Sequence, residues 1–175
     1  MKNIFTGLIL IFLDLNLDLG NSRIGLLPDF VGYIVMINGL EDMASKSPLF
    51  MKVKPYATGM AAYTGVLYLF DLIGVTVSLG AFSYLLAITS TAVSLYISYY
   101  IVMGVIEMEG EYNTHLNGDS LKQTWTLMAV FNVLSYLLLL IPLVGLICVI
   151  VSFIVAICFL VAFNNSKHLY YDKVR

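Results

Sequence analysis

Apolar residues run along this chain in six long blocks, separated by short breaks marked by charge, glycine or proline. The blocks fall at 3–20, 27–45, 56–75, 79–108, 121–140 and 143–164. A helix needs about 20 mostly apolar residues to cross a hydrocarbon core, and each block approaches or exceeds that length. Membrane strands run about 9–11 residues with strict alternation, so the blocks do not fit a barrel. The pattern predicts an all-α fold: one transmembrane domain over 1–175, a bundle of six helices arranged as three hairpins. Pro28 suits the first turn of the second helix, and Pro55 marks the start of the third. Trp125 stands near the start of the fifth. Short turns at 74–80 and 141–145 would close the last two hairpins. The fourth block is long enough to tilt. The first is the least comfortable in lipid, because Asp14, Asn16 and Asp18 occupy its second half. No small-x-small cleavage site follows it, so it reads as a retained span rather than a signal peptide. A re-entrant segment is the alternative.

Composition agrees with the blocks. Of 175 residues, 60% are hydrophobic and 11% charged. Soluble domains carry about 25% charged residues. A net charge of −2 argues against a nucleic-acid partner. Charge placement then orients the chain. With the N-terminus inside, Lys2, Lys46, Lys52, Lys54, Lys122, Lys167, Lys173 and Arg175 all lie inside, and only Arg23 lies outside. The positive-inside rule therefore predicts both termini in the cytoplasm and an even number of spans. Tyr56, Tyr99, Tyr100, Trp125, Tyr170 and Tyr171 fall near block ends, where aromatic side chains anchor at the interface.

The same orientation gathers four carboxylates, Asp14, Asp18, Asp29 and Asp71, toward the external face, beside Arg23. Ionisable groups at membrane depth are costly and mark functional sites by default. Read as one helix, Asp14 and Asp18 are i and i+4 and share a face. These residues are the candidate site for a cation or an amine-bearing solute, because carboxylate oxygens suit such guests. The competing reading leaves Asp18 and Asp29 in headgroup water, with Asp29 favoured by the dipole of its helix. Asp14-x-Asn16-x-Asp18 lacks the glycine and distal glutamate of a calcium loop. On the inner side Glu41, Asp42, Glu107, Glu109, Glu111, Asp119 and Asp172 mingle with the basic residues as a solvated surface. Glu111 and His115 alone are weak evidence for a metal, and no metal site is assigned.

Small residues recur at a spacing of four: Ala57, Ala61 and Gly65 on the third block, and Ser90, Ser94 and Ser98 on the fourth. Such sets let helices pack closely in lipid. The serines could also wall a solute path. Asn38 and Asn132 suit interhelical hydrogen bonds. Cys148 and Cys158 are ten residues apart on one helix, about 15 Å of rise, which is too far for a disulfide. Leu67-Tyr68-Leu69 through Gly74 resembles Ser135-Tyr136-Leu137 through Pro142, which raises an internal repeat. No nucleophile elbow, metal helix or phosphate loop is present.

The stretch Leu27-Pro28-Asp29-Phe30-Val31-Gly32-Tyr33, with Gly39-Leu40 after it, resembles a pattern in small polytopic membrane proteins of Gram-positive bacteria. The resemblance covers roughly the first 50 residues. It implies a bacterial plasma-membrane protein and brings no established activity. Chain length and topology are also similar to the six-span substrate-binding subunits of vitamin transporters. The Ala-x-x-x-Ala docking motif of those subunits is missing here. Three functional classes follow, in order. The first is a non-enzymatic protein that binds or transports a small solute or cation through an outward-facing acidic site. The second is an accessory, immunity-type or scaffolding protein acting on a membrane protein partner or a second copy of itself. The third is an aspartate-dependent membrane enzyme. In all three the lipid bilayer is the surroundings.

Overall fold

The structure, a computed structural model, describes residues 1–13, 16–19, 22–25, 28–73, 81–138 and 142–173; residues 16–19, 22–25, 71, 81 and 142 are described in backbone only. The described elements are α1 (Lys2–Phe12), β1 (Asn16–Leu19), β2 (Ser22–Gly25), α2 (Asp29–Asp42), α3 (Pro48–Leu72), α4 (Ala81–Glu111), α5 (Gly118–Leu137) and α6 (Pro142–Lys173). Each helix packs on the next in sequence, and α6 returns onto α1. The hairpins are therefore links of a closed ring rather than separate pairs.

Two sequence expectations need correction. The first block is not one helix over 3–20. It is an 11-residue helix followed by an antiparallel hairpin in which Asn16 pairs with Gly25 and Asp18 with Arg23. The alternation from Asp14 through Asn16 and Asp18 to Leu19 has a period of two, which is the period of a strand. The pairing ends with Leu19 opposite Ser22. The i, i+4 relation of Asp14 to Asp18 falls with the helix. At about 1.5 Å per residue α1 rises roughly 16 Å, so it covers only part of the height of α6.

Secondly, α3 begins at Pro48 and not near Tyr56, and Pro55 lies inside it. The Ser47 hydroxyl accepts a hydrogen bond from the Leu49 amide at 3.2 Å, a cap followed by proline at the first helical position. Lys52 and Lys54 interrupt the apolar run here. They sit beside a stripe of Phe50, Val53, Ala57, Met60 and Thr64, buried at spacings of three and four.

The α1–α2 contact is made backbone to backbone. A Cβ on Gly7 would lie 2.7 Å from the Gly32 carbonyl oxygen, and one on Gly39 would lie 2.5 Å from the Ile4 nitrogen. Only hydrogen fits at either place. Gly32 and Gly39 are the glycines of the Leu-Pro-Asp-Phe-x-Gly-Tyr stretch and its continuation, seven residues apart and hence on one helix face.

One end of the ring is stitched by polar side chains. Asn3 donates to Asp42 at 3.1 Å, Ser47 donates to Glu107, Lys54 pairs with Glu41 at 2.7 Å, and Lys173 donates to the His115 carbonyl at 3.3 Å. Lys46 lies over the Tyr112 ring and Lys167 over Phe5, at 5.3 and 4.2 Å from the centroids. The hydroxyl of Tyr112 beside Lys46 holds that ammonium's pKa above its usual value, while burial lowers that of Lys167. Away from this basic end the surface is apolar. Leu143 is 72% exposed and Ile73 73%, and Leu69, Leu85, Leu137, Leu146, Ile150 and Val161 are also exposed. Soluble proteins rarely show so continuous a patch. Two of the described helices, over Phe82–Glu111 and Leu143–Lys173, are long and apolar enough to cross a membrane.

Candidate functional site

Large side chains fill the ring toward the basic end: Phe50, Ile97, Ile101, Met108, Phe159 and Phe163 are fully buried. Toward the hairpin end the filling stops. A cavity of about 310 Å³ lies there among five helices. The last turn of α1 supplies Ile11 and Phe12, and the first turns of α2 supply Asp29 and Tyr33. α4 supplies Ser90, Thr91, Ser94 and Leu95, and α5 supplies Asn132 and Ser135. Val149, Ser152, Phe153 and Ala156 of α6 complete the wall. Its volume falls at the lower end of the range for small-molecule sites.

The sequence explains why these groups meet. Ser90 and Ser94 are one turn apart on α4, and Thr91 is beside Ser90 in the next row. Asp29 and Tyr33 are likewise i and i+4 on α2, so both project to the same side. Their helix is held against α1 by the glycine contact, and that contact fixes how far they reach inward. Tyr33 is 2% exposed and lines the cavity together with Ser94. The Asn132 amide donates to the Met128 carbonyl at 2.8 Å, and the Ser135 hydroxyl donates to the Asn132 carbonyl at 2.7 Å. The hydroxyls of Thr91 and Tyr136 are 2.7 Å apart. Among the described residues the lining holds one carboxylate and no basic side chain.

Of the five candidates read from the sequence, Asp29 lines this cavity. Asp18 and Arg23 face each other by Cα register in the hairpin, and Asp71 lies in the last turn of α3. The side chains of these three, and all of Asp14, lie outside the described residues. Ser90, Ser94 and Ser98 divide: the first two border the cavity, while Ser98 is buried and accepts a 3.0 Å hydrogen bond from the Trp125 indole. Ala57 is fully buried. A Cβ on Gly65 would meet only Phe30, at an ordinary 3.8 Å.

Sequence reasoning missed two things. Ser152 carried no pattern of its own, Tyr33 and Ser135 stood out only in a motif and a repeat that imply no site, and tertiary packing alone brings the three to one place. Glu109 was read as a solvated surface residue, yet it organises the turn between α4 and α5. Its oxygens accept from the Leu116 and Gly118 amides at 2.9 and 3.0 Å, and His115 Nδ1 lies 2.8 Å away. His115 thus turns to Glu109 rather than Glu111, because the helix ends at Glu111 and the helical i, i+4 geometry ends with it. No group of three or more potential metal ligands occurs among the described residues.

Compared with protein families, curated proteins and solved structures, the chain matches none. The class defined by the fold and the cavity is thus a helical ring with an apolar exterior and a polar interior pocket.

Proposed function

We propose that this chain is a polytopic membrane protein that takes a small solute into the cavity at the hairpin end. The observation that carries the reading is the inverted polarity of that half of the molecule. Leucine, isoleucine and valine face outward on α3 to α6, while hydroxyls, an amide and a carboxylate face inward. Water on the outside would penalise that exposed apolar surface by about 25 cal/mol per Å². Lipid removes the penalty. Exposed apolar residues on α6 run from Leu143 to Val161, a rise of roughly 27 Å at helical geometry, close to the ~30 Å hydrocarbon core.

In this reading the basic end is cytoplasmic, by the positive-inside rule, and the cavity belongs to the outer half. The hairpin over 16–25 then stands where a first span would leave the membrane, and α1 enters without crossing alone. Cysteine labelling checks the orientation. In a version with Cys148 and Cys158 replaced by serine, Ser22→Cys should react with a membrane-impermeant maleimide in whole cells, and Asn117→Cys only after lysis. The opposite pattern would invert the topology.

Solute uptake is tested by filling the cavity. Ser90→Leu and Ser152→Leu each add bulk from a different wall. Purified wild-type protein should gain thermal stability with at least one member of a panel of cations, amines, polyols and vitamins, and both variants should lose that gain while still folding. A panel that shifts nothing would sink the reading.

Binding to a protein partner draws on one observation of its own. The exposed ridge of Leu127, Val130 and Val133 on α5 and Ile147, Ile150 and Ile154 on α6 could seat another helix as well as lipid. Pull-down from native membranes separates the two, since a stoichiometric partner lost on polar substitution of this ridge favours contact.

A further inference from the structure

The wall of the cavity is incomplete on one side, and the end of α1 marks the place. In the ring α1 stands between α2 and α6. It meets α6 through Phe5 on Phe163 and Phe12 on Phe159, with ring centroids 6.2 and 5.9 Å apart, and Phe12 is its last residue. Phe153 and Leu160 are seven residues apart and share one flank of α6. Leu160, level with the end of α1, is 6% exposed, while Phe153, beyond that end, is 46% exposed. Val149, one turn further, is 50% exposed. Both Val149 and Phe153 line the cavity as well. Two side chains that border the cavity and also lie half bare on the surface form the lip of an opening. Among the described helices, none other than α1 stands between α2 and α6, and β2 packs on α3.

In the membrane orientation proposed above, that opening faces lipid tails. Val149 and Phe153 follow Leu143, the outer edge of the apolar run on α6, by about 9 and 15 Å of helical rise. A polar group dissolved at such a depth lacks hydrogen-bond partners, at a cost of several kcal/mol. The cavity supplies them in both senses. Asn132 gives one amide hydrogen to the Met128 carbonyl and keeps the second. The hydroxyls of Ser90 and Ser152 can donate, and every hydroxyl of the wall has lone pairs that accept. Asp29 already interacts within the fold, so these neutral groups are what meets a guest. A charged head group loses far more on leaving the membrane surface. Resting on the solute reading above, we infer that the cavity takes the uncharged, hydroxyl-bearing head group of an amphiphile dissolved in the membrane. It enters sideways between α2 and α6, past the end of α1, and its hydrocarbon chain stays in the lipid. Ile11, Phe12, Val149 and Phe153 suit the first carbons of that chain.

A monoacylglycerol with a diazirine early in its chain and an alkyne at the chain end tests this. Purified protein in phosphatidylcholine nanodiscs is irradiated with the probe, and the labelled positions are mapped by peptide mass spectrometry. Labelling around Val149 and Phe153 should exceed that of Leu127, Val130 and Val133 on α5 by about tenfold. Those three are exposed and report random contact with lipid. Unlabelled monoacylglycerol should remove the difference. The methyl ester of the same acid, which has the chain and no donor, should not, and neither should glycerol in the water. Ser152→Leu and Ser90→Leu fill the cavity from two walls, and each should bring the lip down to the level of α5. Even labelling of the lip and α5 in the wild type overturns the inference, as does displacement by the methyl ester as readily as by the monoacylglycerol. Displacement by glycerol would show entry from water, and overturns the sideways route while solute binding stands. Even labelling together with a thermal panel that shifts nothing fails both readings; even labelling with a stabilising panel member fails this one alone. Should neither variant fold, the wild-type competition decides.

Discussion

Gly39→Leu should abolish the assembled protein. A Cβ at this position would sit 2.5 Å from the Ile4 backbone nitrogen and 2.8 Å from the Ile4 side chain. The first obstacle is main chain, which cannot rotate away, so α1 and α2 must separate. Overpacking a tight site costs about 1–3 kcal/mol when neighbours can shift. Here the displaced element is an 11-residue helix whose buried Ile4 and Leu8 would move with it. Each buried aliphatic side chain contributes roughly 1.5–3 kcal/mol, and the total approaches the whole stability of a typical domain. Yield of monodisperse protein in detergent, and the thermal midpoint of what remains, are the readouts. Gly59→Ala is the matched control. Nothing lies within 4 Å of a Cβ there, so the better helix former should be neutral or stabilise by up to about 1 kcal/mol. Equal behaviour of the two variants would mean that the glycine contact does not hold α1.

The second large effect is expected at Glu109→Ala. The two carboxylate oxygens satisfy two backbone amides of the turn into α5. A helix start leaves its first N–H groups without internal partners, so something else must accept from them. Asn117, which precedes α5, makes no side-chain cap and adopts a left-handed conformation with φ of 65°. Glu109 therefore acts as a cap supplied from the neighbouring helix. Leaving two part-buried donors unsatisfied costs on the order of 1–3 kcal/mol each, reduced where water reaches them. We expect a loss of about 2–4 kcal/mol on that basis, read as a lower thermal midpoint. Glu109→Gln keeps one acceptor oxygen and should lose about half as much. A Glu109→Ala protein as stable as wild type would show that water replaces the carboxylate freely. Glu111→Ala, one turn-step away on the exposed side, should change little.

The two variants also show where sequence reading succeeds and where it stops. The apolar blocks of α2, α4, α5 and α6 were legible because each keeps a continuous run long enough for a helix. The start of α3 was hidden because Lys52 and Lys54 interrupt the run. Burial follows only the stripe of Phe50, Val53, Ala57 and Met60, and the two lysines leave it intact. The end of α1 was misread for a different reason. The Asp and Leu residues after Leu13 continue the apolar block by composition, but they alternate with the period of a strand.

The candidate site divides in the same way. Asp29 and the Ser90–Ser94 pair could be picked out from the chain, since a carboxylate and a regular hydroxyl spacing inside apolar blocks are local signals. Their meeting could not. Tyr33 shares α2 with Asp29, but Asn132, Ser135 and Ser152 lie on two further stretches of chain, and only the closure of α6 onto α1 brings them round one space. By itself, the sequence determined a helical chain with a greasy exterior and one basic end, because hydrophobic period and charge placement are properties of neighbouring residues. The tertiary structure alone decided that the hairpin end is hollow and polar. A cavity is defined by the side chains that face one another across a ring, and no neighbour relation along the chain records that.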